Sequence, residues 1–326
     1  MSGASMSLTF VISAGNDFGL GHARRTQSIA EAYRFTKGLG ELHVLVRGTD
    51  DIRALWPQVQ DASFQKLVFD KCLETSNKFL GRKASHDFLI FDLHPDHIDE
   101  DLRAWAQVNK FHSYLIGIDS IALMTDWPLD LRWMPTFYRD PDWPPVLNIQ
   151  HGWDSFLMTR RDVGHQNKYD KTRLLVLTGG ADPLRLSSLW PPLLEGIETP
   201  DSLEITWVTG PFSRKPSFTG DSNHLIRVVD SPESIHALIY ESDLVLSLYG
   251  VSVYESIMYG KKVVSYCPSQ TAETEALACT GLSFVFYDPM QALNHVVTAL
   301  AAPSQPSRID GLGPQRLLAK MFDLIE

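Results

Sequence analysis

Short apolar runs alternate with stretches of helical spacing over most of this chain. The first run, at 8–14, is followed at 23–35 by a helical pattern that places Ile29, Ala30 and Tyr33 on one face. Weaker helical patterns occur at 51–59 and 67–79, and apolar runs of strand length recur at 42–46, 87–92, 114–119, 173–178, 203–208, 225–229, 243–248, 262–267 and 283–286. Apolar strands that alternate with helices are typical of a parallel sheet covered on both faces.

Residues 124–155 interrupt this alternation. They contain Trp127, Trp133, Trp143 and Trp153 with prolines between them, which fits neither a long helix nor a central strand. The segment is either an irregular connector packed by its own aromatic rings or one wall of a cleft between two domains.

The length of 326 residues allows two domains of about 150 residues each. We therefore predict an α/β protein in which two doubly wound, Rossmann-type domains, at 7–155 and 165–310, face a central cleft. A helix at 311–326 is expected to cross back to the N-terminal domain.

The net charge indicates which partners this protein can bind, and the cysteine content indicates the redox state of its compartment. The net charge of −10 argues against a nucleic-acid partner, but it leaves room for a small phosphate-bearing ligand. Cys72, Cys267 and Cys279 show no paired spacing, which indicates a reducing compartment. No apolar stretch approaches the roughly 20 residues of a membrane span. We expect a cytoplasmic protein without a membrane span.

The turn between the first strand and the first helix contains Gly19, Gly21 and His22, with Arg25 one turn later. Its glycines do not fit the dinucleotide fingerprint, and Gly21 is not followed by the lysine of a P-loop. A histidine in a first helical turn is biased toward its neutral form by the helix dipole, so His22 is a candidate base. The alternative is a capping histidine beside solvated arginines.

Two later turns have the composition of phosphate-binding loops. Gly179 and Gly180 follow an apolar strand and allow close approach of a diphosphate. Asp182 followed by Pro183 predicts that a helix starts at this proline. The alternative is a tight turn without a ligand.

The second of these turns comprises Tyr249, Gly250, Val251 and Ser252, and Glu255 follows one helical turn later. A carboxylate at this position can accept hydrogen bonds from the two hydroxyls of a ribose. The alternative is a glutamate that only complements the helix dipole.

Asp92, His94, Asp96 and His97 follow another apolar strand and are metal ligands by type. No other cluster in the sequence has matching spacing, so substrate contact by Asp92 or His94, opposite His22, is the preferred interpretation. We expect neither a metal nor another cofactor.

Several of these motifs, taken in order, resemble those of the PseG/SpsG family of MurG-like GT-B nucleotide-sugar enzymes. The matching positions are Gly19-x-Gly21-His22-x-x-Arg25, Gly179-Gly180-x-Asp182-Pro183, Glu255, and Gln270 followed by Gly281. The resemblance covers most of the chain, although the segment rich in tryptophan and proline is unmatched.

The resemblance implies a GT-B-like fold, with a general base and the acceptor on the N-terminal side and the nucleotide on the C-terminal side. His22 would then be the base that activates water or an acceptor hydroxyl, near Asp92 and His94. Glu255 would bind the ribose, and the two glycine turns would bind the phosphates. The expected sugar- or phosphate-binding residues are Gly19, Gly21, Arg25, Ser269 and Gln270.

The family's best-known activity is hydrolysis of a UDP-linked diacetamido-trideoxy sugar on the pathway to pseudaminic acid, whereas MurG-like relatives transfer the sugar. This sequence has His94 in place of the hydrolase tyrosine, Ser269 in place of an asparagine, and Tyr249 in the serine-rich turn. Because two of these changes affect groups expected around the attacked sugar carbon, we favour a glycosyltransferase of surface or secondary glycan synthesis. It would use a UDP- or CMP-sugar and a glycan or small-molecule acceptor. The alternatives are a PseG-like hydrolase and a non-catalytic nucleotide-sugar-binding protein.

Overall fold

The computed structural model describes residues 7–14, 20–35, 41–48, 63–66, 87–119, 125–145, 148–164, 170–232 and 234–325. The chain divides into two compact units. One comprises Met1–Thr159 together with Gly311–Glu326, and the other comprises Arg160–Asp310. The predicted helical segments at 51–59 and 67–79 lie outside the described residues.

The strands within these ranges are β1 (Ser7–Ala14), β2 (Leu42–Gly48), β3 (Ser63–Lys66), β4 (Asp87–Asp92), β5 (Ser113–Ile118), β6 (Leu131–Trp133), β7 (Ile149–Gln150), β8 (Arg173–Leu177), β9 (Glu204–Thr209), β10 (Leu225–Asp230), β11 (Leu244–Leu248), β12 (Lys262–Tyr266) and β13 (Phe284–Phe286). The helices are α1 (Gly21–Phe35), α2 (Glu100–Asn109), α3 (Leu186–Leu189), α4 (Pro191–Glu195), α5 (His236–Glu241), α6 (Val251–Met258), α7 (Ala272–Thr280), α8 (Pro289–Asn294), α9 (Val296–Ala301) and α10 (Gly313–Asp323). None of these helices is long and apolar enough to cross a membrane.

Each unit is built on one parallel sheet. The strand order is β3-β2-β1-β4-β5-β6-β7 in the first unit and β10-β9-β8-β11-β12-β13 in the second. All described neighbours in both sheets pair in parallel. The order reverses between β1 and β4 and again between β8 and β11, as in doubly wound Rossmann folds. The prediction of two Rossmann-like domains is confirmed.

Strand β1 is buried on both faces, which explains why most of its residues are apolar. Leu8, Phe10 and Ile12 pack into a core shared with α1 and α10, while Val11 packs on the opposite face in a core shared with Trp105 of α2. These side chains have no or almost no solvent exposure. Each fully buried side chain of this size contributes about 2 kcal/mol of hydrophobic stabilisation.

The segment rich in tryptophan and proline belongs to the first unit. Its short strands β6 and β7 extend the sheet at one edge. Trp127 packs edge-on against Phe91 of β4, and the buried indole of Trp133 donates to the carbonyl oxygen of Ser155 at 2.6 Å. Trp127 and Trp133 are therefore part of the first unit's core.

The helix predicted to start at Pro183 begins instead at Leu186. Asp182 has a positive φ of 47°, which turns the chain away from helical geometry. Its carboxylate nevertheless accepts from the backbone N–H groups of Leu186 and Ser187, at 2.8 and 2.9 Å. Asp182 therefore lies three residues before the N-cap position, Arg185, and still caps the helix through its side chain.

Candidate functional site

In the first unit, four polar side chains meet where the strand order reverses. His22 and Arg25 lie in the first two turns of α1, which follows β1, and Asp92 is the last residue of the neighbouring strand β4. Asp119 directly follows β5. The crevice at such a switch point, outside the carboxyl ends of the strands, is where open α/β sheets bind ligands.

His22 and Asp92 form a short hydrogen bond, with 2.6 Å between Nδ1 and Oδ1. Asp92 has no solvent exposure. Burial raises the pKa of this carboxyl, but the charges and hydrogen bonds of Arg25 and His22 outweigh it, and the net pKa lies below the ordinary value. An ionised carboxylate only accepts hydrogen bonds, so His22 donates to Asp92 through Nδ1 and its Nε2 carries the lone pair when the ring is neutral. The Nη2 of Arg25 also lies 3.0 Å from this Nδ1, but it donates to Asp92 at the shorter distance of 2.6 Å.

Arg25 holds the opposite side of Asp92. Its Nε and Nη2 donate to the two carboxylate oxygens at 2.9 and 2.6 Å, and its Nη1 donates to Asp119 at 2.8 Å. Burial lowers the pKa of Arg25, but the carboxylates of Asp92 and Asp119 raise it by a larger amount, so the net shift of the pKa is upward. These three donors are thus engaged by carboxylates, and the role of Arg25 as a sugar or phosphate ligand stays a prediction.

Asp119 was not among the predicted site residues. The available signal was an acidic residue directly after an apolar strand, the same signal that marks Asp92. Among the other predicted residues, Gly21 is the first residue of α1, and Gly19 lies outside the described residues.

The loop after β4 is fixed by side chains from the neighbouring strands. The buried hydroxyl of Ser13 accepts from the backbone N–H of His94 at 2.8 Å and lies 2.7 Å from Nδ1 of His97. The Nδ1 atom of His94 accepts from the backbone N–H of Asp96 within its own turn. Burial, Arg47 and His94 lower the pKa of His97. The structure therefore brings Asp92 to His22, whereas the Nδ1 atom of His94 bonds within its own loop.

Metal ligation would require at least three suitable side chains arranged around one point. Within the described ranges, no group of three or more histidine, cysteine, aspartate or glutamate residues is placed to hold a metal ion. In that part of the chain, the carboxylate of Asp92 is held by an ion pair with Arg25 and by the hydrogen bond from His22.

In the second unit, the predicted nucleotide-binding residues also lie at the carboxyl edge of a sheet. Gly179 and Gly180 follow β8, and Gly179 has a φ of +85°, a conformation that favours glycine. Asp182, which is 6% exposed, uses both carboxylate oxygens to cap α3, so it shapes this loop. Ligand contact by these three residues stays a prediction.

The loop after the adjacent strand β11 contains Tyr249 and Gly250, and α6 starts at Val251 and continues through Ser252. The hydroxyls of Tyr249 and Tyr254 lie 2.8 Å apart, and Tyr254 donates to Glu273 of α7 at 3.2 Å. Burial and Glu273 raise the pKa of Tyr254, so its hydroxyl stays protonated.

Glu255 is 5% exposed in the second turn of α6, at the same edge of the sheet. Ser269 and Gln270 lie in the loop after β12, and both are exposed. The Nε2 of Gln270 donates to Glu275 of α7 at 2.5 Å. The structure thus brings the loops after β8, β11 and β12 to neighbouring strand ends, as three adjacent strands of one sheet require.

No family model matches this sequence, and no curated protein matches it. Solved structures are similar over almost the whole chain. They include Methanocaldococcus jannaschii UDP-GlcNAc 2-epimerase in complex with UDP-GlcNAc and UDP, at 12% identity and a TM-score of 0.60, with 97% of this chain and 99% of that chain covered. Acinetobacter baumannii MurG is 12% identical with a TM-score of 0.58, and the alignment covers 97% of this chain and 99% of that chain.

CalG4, the calicheamicin glycosyltransferase, is 11% identical with a TM-score of 0.60, and the alignment covers 98% of this chain and 94% of that chain. At these identities the similarity is one of fold. The chain shares its fold, two Rossmann-like domains each built on a parallel sheet, with MurG and GT-B glycosyltransferase structures. Membership of the PseG/SpsG family specifically stays a prediction.

Proposed function

We propose that this protein is a glycosyltransferase that uses a UDP-sugar as donor. The reaction breaks the bond between the anomeric carbon and the diphosphate oxygen, and it forms a bond between that carbon and an acceptor oxygen. His22 takes the proton of the acceptor hydroxyl, and UDP leaves with the electron pair of the broken bond. The observation that carries the proposal is the 2.6 Å contact between His22 Nδ1 and the buried carboxylate of Asp92.

This contact supports a base because it fixes the tautomer of the imidazole. With Nδ1–H donated to Asp92, the lone pair of a neutral His22 lies on Nε2, which can receive a proton. Asp92 is fully buried and is therefore a positioning residue that orients the ring. The imidazole of His22 is 13% exposed and keeps access to solvent.

The nucleotide is assigned to the second unit. Phosphates are expected at the loops that contain Gly179, Gly180 and Gly250, because exposed backbone N–H groups at strand ends can bind anionic oxygens. The ribose is expected at Glu255. The choice of UDP is supported by the fold shared with enzymes whose structures contain UDP or UDP-GlcNAc. The loops after β8, β11 and β12 lie on adjacent strands, which supports one ligand in contact with all of them.

A release assay tests the proposal. The purified protein is incubated with a panel of UDP-sugars and CMP-sugars, with and without glycan and small-molecule acceptors, and free nucleotide is measured. We expect nucleotide release that depends on an acceptor. Release at the same rate without acceptor would assign the protein to nucleotide-sugar hydrolysis, as in PseG. Binding without turnover in every mixture would leave a nucleotide-sugar-binding protein.

A further inference from the structure

The loop after β9 packs directly against the Gly179–Gly180 loop. The backbone N–H of Phe212 donates to the carbonyl oxygen of Gly180 at 3.0 Å, and the hydroxyl of Ser213 donates to the carbonyl oxygen of Gly179 at 3.4 Å. Both carbonyl groups of the diglycine therefore point toward the β9 side of strand β8.

The direction of the carbonyl groups fixes the direction of the following amides. Every described peptide bond is trans, and in a trans peptide the N–H points opposite to the C=O. The N–H groups of Gly180 and Ala181 consequently point away from β9. Because β8 lies between β9 and β11, this is the side of the switch point, where Leu248 of β11 lies near Gly179.

These amides are open to a ligand. Gly180 and Ala181 are half-buried, and no residue in the described ranges accepts a hydrogen bond from either N–H group. Two parallel N–H donors at a strand end form a concave site for the oxygens of an anion.

Gly210 sets the distance between the two loops. A Cβ atom at this position would lie 2.5 Å from the carbonyl oxygens of both Gly179 and Gly180. Those oxygens belong to the backbone, so only a movement of one loop could relieve the overlap. The absence of a side chain at Gly210 is what permits the hydrogen bonds from Phe212 and Ser213.

We propose that Gly210 is a positioning residue that aims the amides of Gly180 and Ala181 at the diphosphate of the donor nucleotide. The inference rests on the proposed function, since it specifies how that nucleotide is held. It predicts that the β9 loop controls affinity for the diphosphate and leaves affinity for the nucleoside unchanged. Gly210 itself touches no ligand.

The test compares Gly210→Ala with the wild-type protein and with Gly196→Ala. Gly196 is a matched control in the same unit, because an added Cβ there meets its nearest atom at an ordinary 3.6 Å. Dissociation constants for inorganic pyrophosphate, UDP and uridine are measured by titration calorimetry, and thermal unfolding is followed for each variant. We expect Gly210→Ala to weaken pyrophosphate and UDP binding about tenfold, equivalent to about 1.4 kcal/mol. Uridine binding should not change, and Gly196→Ala should bind all three ligands normally.

The outcomes separate the two proposals. Equal loss of uridine and UDP binding, or unchanged pyrophosphate binding in a folded Gly210→Ala protein, would overturn the role of Gly210 and leave the nucleotide site standing. A wild-type protein that binds neither pyrophosphate nor UDP would overturn both. If Gly210→Ala does not fold, Ser213→Ala replaces it: removal of one hydrogen bond to Gly179 should weaken pyrophosphate binding about threefold, and unchanged binding would contradict the inference.

Discussion

The imidazole of His22 and the carboxylate of Asp92 are joined at 2.6 Å, although 70 residues separate them in the chain. The carboxylate is fully buried and is also held by two donors of Arg25, whose third engaged donor contacts Asp119. The carboxylate of Asp92 thereby orients His22, while the guanidinium of Arg25 balances its negative charge. A base with this support keeps one ring orientation and one tautomer.

His22→Ala should lower turnover about 100-fold or more, because the acceptor hydroxyl loses the group that removes its proton. UDP affinity should be nearly unchanged, since the nucleotide is assigned to the other unit. Turnover and UDP binding are measured side by side, with His112→Ala as control because His112 is an exposed histidine in the turn after α2. Wild-type turnover in His22→Ala would remove His22 from the mechanism.

Asp92→Asn should lower turnover by about 10²-fold to 10⁴-fold, because an amide can donate to Nδ1 and favour the wrong tautomer of His22. Substrate KM should change far less than kcat. The variant also leaves Arg25 with a poorer partner in a buried site, so unfolding should become easier by about 3 kcal/mol. Steady-state kinetics and urea unfolding of the same preparation separate the two effects. A raised KM with unchanged kcat would contradict the positioning role.

Acid should weaken the first unit through Asp92. The pKa of this carboxyl is lowered in the folded protein, so its contribution to stability is complete above the unfolded-state pKa of about 3.9 and is lost as the pH falls through the folded-state value. The stability difference between wild type and Asp92→Asn should therefore shrink below about pH 4. Unfolding midpoints measured from pH 7 downward, at constant ionic strength, check this. A difference that grows on acidification would contradict the lowered pKa.

Glu255→Ala should weaken UDP binding about tenfold, because a buried carboxylate that accepts from ribose hydroxyls is lost. Dideoxyuridine diphosphate lacks those hydroxyls, so its affinity should be the same in both proteins. Titration of both ligands isolates the ribose contact, and Glu198→Ala, at an exposed glutamate in the loop after α4, is the control. If both ligands lose affinity equally, Glu255 acts on the fold of the loop instead of on the ribose.

The local sequence determined much of the architecture. Strands buried on both faces need apolar residues at successive positions, so the runs at β1, β4, β8 and β11 identify parallel sheets without knowledge of their order. Glycines and acidic residues directly after those runs mark strand ends, which is why Gly179, Gly250 and Asp92 could be selected as candidates. These features depend on a few neighbouring residues, so they can be predicted from the local sequence alone.

The partners of those candidates depended on the tertiary structure. Periodicity does not state which strands are neighbours, so the sequence left open that β1 adjoins β4 and that Arg25 would hold Asp92 and Asp119. Loop packing was equally inaccessible: Gly210 is an unremarkable glycine in the sequence, and only the approach of two carbonyl oxygens shows why a side chain is excluded. Contacts between distant segments follow from strand order and loop packing, and only the folded chain specifies both.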